Sequence, residues 1–154
     1  MNGRELKQNN DLFYVCSLIG YIARKTKNHP GTVVRAIGEN DIRKFYELAE
    51  VYHCDNIDKV ADQCIESHHI ETGNFDNVAL CEYSIPTHWD IGKVYKRLIL
   101  AVAKEENKDV VSALMEVYAT PITDLIEDYN SSFYYDSPNC IFATYCNSCN
   151  PILE

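Results

Sequence analysis

Three features of this 154-residue chain predict an all-α fold, a helical bundle. Apolar residues recur at three- and four-residue spacing through most of its segments. Residues that cap or stop helices stand between those segments. The order of the segments also runs twice, which suggests two tandem four-helix units, residues 1–67 and 89–154, joined by a long linker, residues 68–88. At this length the chain makes one ordinary domain or two very small ones, and the two units are expected to share one cooperative core.

The first helix is expected from Asp11 to Lys27, where Leu12, Val15, Cys16, Ile19, Ile22 and Ala23 share a face. Asn10 or Asp11 would cap it, and Arg24, Lys25 and Lys27 suit its C-terminal dipole. Asn28-His29-Pro30-Gly31 stops it. Thr32 reads as the N-cap of a short helix closed by Gly38. Asn40 or Asp41 would cap the next, whose face carries Ile42, Phe45, Tyr46, Leu48, Ala49 and Tyr52. Asp55 or Asn56 caps a fourth helix through Val60, Ala61 and Cys64.

Residues 68–88 are punctuated by His68-His69, Thr72-Gly73-Asn74 and Pro86-Thr87, and Asn77 to Ile85 can hold a short extended segment. A loop this long is functional or marks a boundary between units. Periodicity resumes with Trp89, Val94, Tyr95, Leu98, Ile99 and Val102, with Asp90 in the first turn. Asp109 caps Val110 to Tyr118. Thr120-Pro121 starts another helix whose face reaches Tyr129. Ser137-Pro138 starts a last one, and Cys146 to Glu154 reads as loose. Trp89, the only tryptophan, is expected to be largely buried between the halves. It would pack back on the first turns of its helix as a staple.

The repeat rests on Thr32-Val33-Val34-Arg35-Ala36-Ile37, which matches Asp109-Val110-Val111-Ser112-Ala113-Leu114, and on the apolar offsets after Asp41-Ile42 and Pro121-Ile122.

Composition narrows the function classes. No apolar run approaches the ~20 residues that span a bilayer; the longest, Leu98–Ala103, is flanked by Lys96, Arg97 and Lys104. The polar start, Met1 to Asn10, has no signal-like apolar region. A cytoplasmic location without membrane association is expected. The formal net charge is −9. Residues 1–75 carry nine Lys/Arg against eleven Asp/Glu, and residues 76–154 five against twelve. Such a chain repels a phosphate backbone, so nucleic acid is an unfavoured partner. Arg24, Lys25, Lys27, Arg35, Arg43 and Lys44 are its only plausible contact, on helix–turn–helix spacing from Thr32 to Tyr52. A solvated helix face is the preferred reading of these charges.

Seven cysteines, an odd count, argue for thiols rather than disulfides. Cys140, Cys146 and Cys149 form a candidate metal site with a C-x-x-C pair, but a closed zinc site needs a fourth ligand. Cys81, His68, His69 or His88 would have to supply it. Plain thiols are the preferred reading, and no cofactor is expected. His53-Cys54 suggests a nucleophile and base, yet adjacent residues do not face each other on a helix. His68-His69 with Glu71 lacks metal-site spacing. No phosphate-cradling or nucleophile-elbow motif occurs.

The remaining signal is aromatic. Eleven tyrosines include a late concentration around Asp128-Tyr129-Asn130-Ser131-Ser132-Phe133-Tyr134-Tyr135-Asp136. Tyr129, Phe133, Tyr134 and Tyr135 are candidate interaction residues, because tyrosine supplies rigid amphipathic contact area. They fit equally a half-buried capping segment.

Residues 12–66 also resemble a family of short helical bacterial proteins to which no activity is assigned. The resemblance rests on Phe13-Tyr14 with Leu18-Ile19-Gly20-Tyr21-Ile22-Ala23, on Val33-Val34, and on Glu47 to His53 with Asn56-Ile57. Tyr52-His53 is contracted relative to the family pattern. The resemblance implies a gene neighbourhood of toxin-like or ADP-ribosyltransferase-like partners. Together these readings favour a non-enzymatic protein that binds a partner protein. The alternatives are an enzyme with a site between the two units built from His53, Cys54, His68, His69 or Glu71, and nucleic-acid binding.

Overall fold

Residues 2–148 are described by the computed structural model, with side chains from residue 7 onward. They form ten α-helices and one 3-10 turn, and among them there is no strand. The all-α prediction holds. The first half contains α1 (Asn2–Thr26), α2 (Pro30–Ile37), α3 (Glu39–Glu47), α4 (Ala49–His53) and α5 (Ile57–Ser67). A short α6 (Asn77–Leu80) follows. The second half contains α7 (His88–Glu106), α8 (Val110–Tyr118), α9 (Ile122–Ile126), the 3-10 turn Phe133–Tyr135 and α10 (Pro138–Ser148).

The two long helices, α1 and α7, lie along each other and form the spine. Their approach is close because Gly92 has no side chain: a Cβ there would lie 2.4 Å from Ser17 Oγ and 3.0 Å from Ser17 Cα. Helices α2 to α5 pack on α1, and α8 and α10 pack on α7; α3 and α8 close the side between the halves. One continuous core results, running from Leu12, Ile19 and Ile22 through Val33 and Ile42 to Ile99, Leu114 and Ile122. Tyr95 and Tyr118 stack at its centre, ring centroids 4.4 Å apart.

Several boundaries differ from the sequence reading, for local electrostatic reasons. Helix α1 runs through Asn10 and Asp11 instead of starting there. Asp11 pairs with Lys7 one turn earlier at 2.8 Å, a favourable spacing on a helix. His29, not Thr32, caps α2: its Nδ1 accepts from Gly31 N, and Pro30 takes the first helical position. Helix α3 begins at Glu39 behind Gly38, whose φ of 85° suits glycine. Asp41 therefore lies in the first turn and reaches His68 Nε2 at 2.7 Å. Asn56 and Asp109 do cap α5 and α8. Helix α9 stops at Ile126, so Tyr129 lies beyond it, and α10 carries Cys146 within a helix rather than a loose tail.

The expected extended stretch at 77–85 instead opens with α6. Thr87 caps α7, and Asp90, in the first turn as expected, closes a capping box by accepting from Thr87 N at 2.9 Å. That places Trp89 inside the first turn. It is half-buried. Its ring still bridges the halves, 5.5 Å from Phe13 of α1.

Candidate functional site

The segment between α5 and α7 looks like a free linker in the sequence, yet its backbone is held at many points. Gly73 N donates to Thr26 O at 2.8 Å and Phe75 N to Lys27 O at 2.9 Å. Asn28 Nδ2 donates to Glu71 O. Further along, Asn130 clamps the chain with both ends of its amide: Nδ2 donates to Leu80 O at 3.0 Å, and Oδ1 accepts from Glu82 N at 2.7 Å. Arg24 of α1 donates to Pro86 O at 2.5 Å and to the Tyr129 hydroxyl at 3.0 Å, with its guanidinium 5.2 Å from the Tyr129 ring centroid.

Behind the clamp lies a buried polar network. Glu127 is 6 % exposed. Its Oε2 accepts from the Tyr95 hydroxyl at 2.8 Å, and its Oε1 accepts from the Tyr129 hydroxyl at 2.9 Å and from Asn77 Nδ2 at 3.0 Å. Burial raises its pKa above the ordinary carboxyl value, and the three donors only partly oppose that. Asn77 also donates to the Glu127 carbonyl. The start of α6 is thereby fixed to the end of α9.

This rigid frame carries apolar side chains that face water. Leu80 is 72 % exposed, Tyr83 69 %, Ile85 46 % and, from the 3-10 turn, Tyr135 74 %. A pinned backbone that presents large apolar groups to solvent has no internal packing reason to do so, and such groups mark contact surfaces. Glu82, Asp128 and Asp136 stand among them in the chain.

Of the four aromatic candidates, Tyr129 and Tyr134 are buried and Phe133 is half-buried. Tyr135 alone is open to solvent, stacked on Tyr134 at 4.5 Å. A groove of about 400 Å³ runs beside it, with Lys93, Arg97, Tyr134 and Asp136 among its walls. Leu80, Tyr83 and Ile85 escape the sequence reading. The signal was present, three large apolar residues in a stretch full of turn formers, but without periodicity it resembled an ordinary strand.

The other candidates are dispersed. Cys140 is exposed on α10, Cys146 lies half-buried on the same helix, and Cys149 falls outside the described residues. Among the described residues no group of His, Cys, Asp and Glu is arranged to hold a metal ion. Cys81 bonds back to the carbonyls of Tyr83 and Tyr129. His68 is held between Asp41 and the Cys64 carbonyl. His88 packs edge-on against Tyr21, and burial with the nearby Arg24 lowers its pKa. His53 and Cys54 do share a cleft, lined also by Phe13, Tyr14 and Trp89, but the Cys54 thiol donates to Glu50 O at 3.3 Å rather than to the His53 ring.

Among the described residues, three of the six basic candidates, Lys25, Lys27 and Arg43, have carboxylate partners. Lys25 meets Asp58 and Asp62, and Arg43 meets Glu39 and Asp109. Burial also separates the thiols: it pushes Cys16 up to about 12 and Cys64 up to about 11. A maleimide should therefore modify the exposed Cys54 and Cys140 in the native protein, and Cys16 and Cys64 only after unfolding. Peptide mass mapping reads this, and fast native labelling of Cys16 would contradict the packing.

No family model matches the chain. No curated protein and no solved structure matches it either. No helix among the described residues is long and apolar enough to cross a membrane.

Proposed function

We propose that this protein acts by binding another protein through the face formed by Leu80, Tyr83, Ile85 and Tyr135. The observation that supports this reading is the combination of exposure and restraint: Leu80, Tyr83 and Ile85 are 46–72 % exposed, on backbone tied down by Arg24, Asn77 and Asn130. Anchors held in advance bind with less ordering cost than mobile ones. The excess of acid in residues 76–154 favours a partner with a basic rim, and association that weakens as salt rises. His68 and the cysteines of α10 lie away from the cleft shared by His53 and Cys54, and the Cys54 thiol bonds to Glu50 O and not to the His53 ring, which supports a binding role over an enzymatic one. The resemblance of residues 12–66 makes a toxin-like enzyme the first partner to try.

The test is affinity capture from native extract with the wild-type chain and with a Leu80→Ser, Tyr83→Ser, Ile85→Ser variant. Anchors of this kind contribute about 1–2 kcal/mol each. The triple variant should therefore lose its captured protein while melting at the wild-type temperature. Retention of the same protein by the variant, or capture of no specific protein by the wild type, would overturn the reading.

A further inference from the structure

The groove beside Tyr135 combines an apolar lining with a basic one. Leu98 of α7, Ile141 of α10 and the stacked Tyr134–Tyr135 pair supply the apolar part. Lys93 and Arg97 supply the basic part, both exposed and one helical turn apart on α7, so their side chains are neighbours on that helix. With Lys96 they account for three of the five cations in residues 76–154, a stretch that carries twelve carboxylates.

Despite that excess of acid, no carboxylate forms an ion pair with Lys93, Lys96 or Arg97 among the described residues. Lys108 of the same half behaves differently and bridges Glu106 and Glu116. On α7 the like charges act on one another instead: burial, then Arg97 and Lys93, lower the Lys96 pKa. Two acids do line the groove. Asp90 is occupied at the start of α7, where it accepts from Thr87 N at 2.9 Å and faces the positive end of the helix dipole. Asp136 is exposed and reaches neither cation within ion-pair distance. The donors of Lys93 and Arg97 are therefore open to a ligand. A guanidinium fork recognises a carboxylate through two parallel hydrogen bonds, and an ammonium one turn away adds to its charge.

We propose that this groove receives an acidic segment of the partner protein. A carboxylate of that segment meets Arg97 and Lys93, and an adjacent apolar side chain lies against Leu98, Ile141 and Tyr135. The inference rests on the reading that Leu80, Tyr83, Ile85 and Tyr135 hold that protein. The two surfaces are continuous: Tyr135 belongs to both, and Pro86 of the groove directly follows Ile85. The sign of the groove is opposite to that of the surrounding chain. It therefore sets the register of the partner, an acidic segment inside a basic rim, because like charges placed together are costly.

Two peptides serve as probes, acetyl-Glu-Leu-Glu-Leu-Glu-amide and its counterpart with lysine in place of each glutamate. Each is titrated into the isotope-labelled chain while backbone amide shifts are followed by NMR. The acidic peptide should move the amides of residues 93–98 and 134–141 saturably, and the basic peptide should bind at least about tenfold more weakly. Arg97→Glu, at an exposed position and checked by its melting temperature, should abolish that preference. Lys104→Glu makes the same change in net charge at an exposed position of α7 outside the groove, and should keep it. The Leu80→Ser, Tyr83→Ser, Ile85→Ser variant should bind the acidic peptide as the wild type does, so a failure of the groove and a failure of the face are told apart. No saturable shift up to about 10 mM acidic peptide, shifts centred elsewhere, equal binding of the two peptides, or the wild-type preference in Arg97→Glu would each overturn the proposal.

Discussion

Replacing Glu127 with Ala should lower the unfolding free energy by about 3 kcal/mol. The carboxylate is the shared acceptor of the Tyr95 and Tyr129 hydroxyls and of Asn77 Nδ2. Tyr95 is 1 % exposed and Tyr129 4 %, so neither can turn to water once the acceptor is gone. Each stranded buried group costs about 1–3 kcal/mol, and the vacated volume adds to this. Removing a buried charge offsets part of the loss. Glu127→Gln keeps the shape and most of the bonds, and should cost less than about 1 kcal/mol at neutral pH.

The pair also makes a pH prediction. Burial raises the Glu127 pKa in the folded state. Between the unfolded and folded values the native protein binds the extra proton, so its stability falls as pH rises through that window. The contribution is complete below the ordinary carboxyl range and lost above the raised value. Asp58, Asp109 and Glu116 shift the opposite way, and their stabilisation is lost as pH falls. The difference between wild type and Glu127→Gln isolates the one group. Urea unfolding from pH 4 to 8 should show Glu127→Gln gaining on wild type as pH rises, and parallel profiles would contradict the assignment.

The second large effect is expected at the spine. Gly92→Val should cost about 3 kcal/mol, and Gly92→Ala about 1–2 kcal/mol, although alanine is the better helix former by about 1 kcal/mol. A Cβ at 92 meets the Ser17 backbone at 3.0 Å as well as Oγ at 2.4 Å, so a side-chain rotation alone does not relieve it. Ser17→Gly in the same chain should recover part of the Ala loss, because it removes the nearer atom. Strictly additive losses in that double-mutant cycle would mean that α1 and α7 are not in contact there.

Helix positions were readable because the buried sets repeat locally. Val33, Val34 and Ile37, or Leu98, Ile99 and Val102, need only α-helical spacing to be recognised. Starts and stops were less readable. Asp11, Thr32 and Asp41 all look like caps, but Asp11 and Asp41 have salt-bridge partners in space, Lys7 and His68, and His29 takes the cap expected of Thr32. No local rule distinguishes these outcomes. The polar centre was hidden for the same reason: Glu127 and Tyr95 are 32 residues apart, and Arg24 meets Tyr129 from the other half of the chain. The late tyrosines were visible as a group, whereas their division into buried Tyr129 and Tyr134 and open Tyr135 is a tertiary outcome. Residues 80–85 were the hardest to read. Their apolar groups are exposed because Asn130, Asn77 and Arg24 hold the backbone against the bundle with those side chains outward.

The claim that this held segment is a contact surface has one direct measurement. A photo-reactive benzoylphenylalanine is placed at Tyr83 and, in a separate protein, at Val51, which is 67 % exposed on α4 and remote in sequence from the face. Both are irradiated in native extract. A crosslink is expected from position 83 to one protein, absent from position 51 and suppressed by excess wild-type chain. No crosslink from position 83, or the same product from both positions, would contradict it.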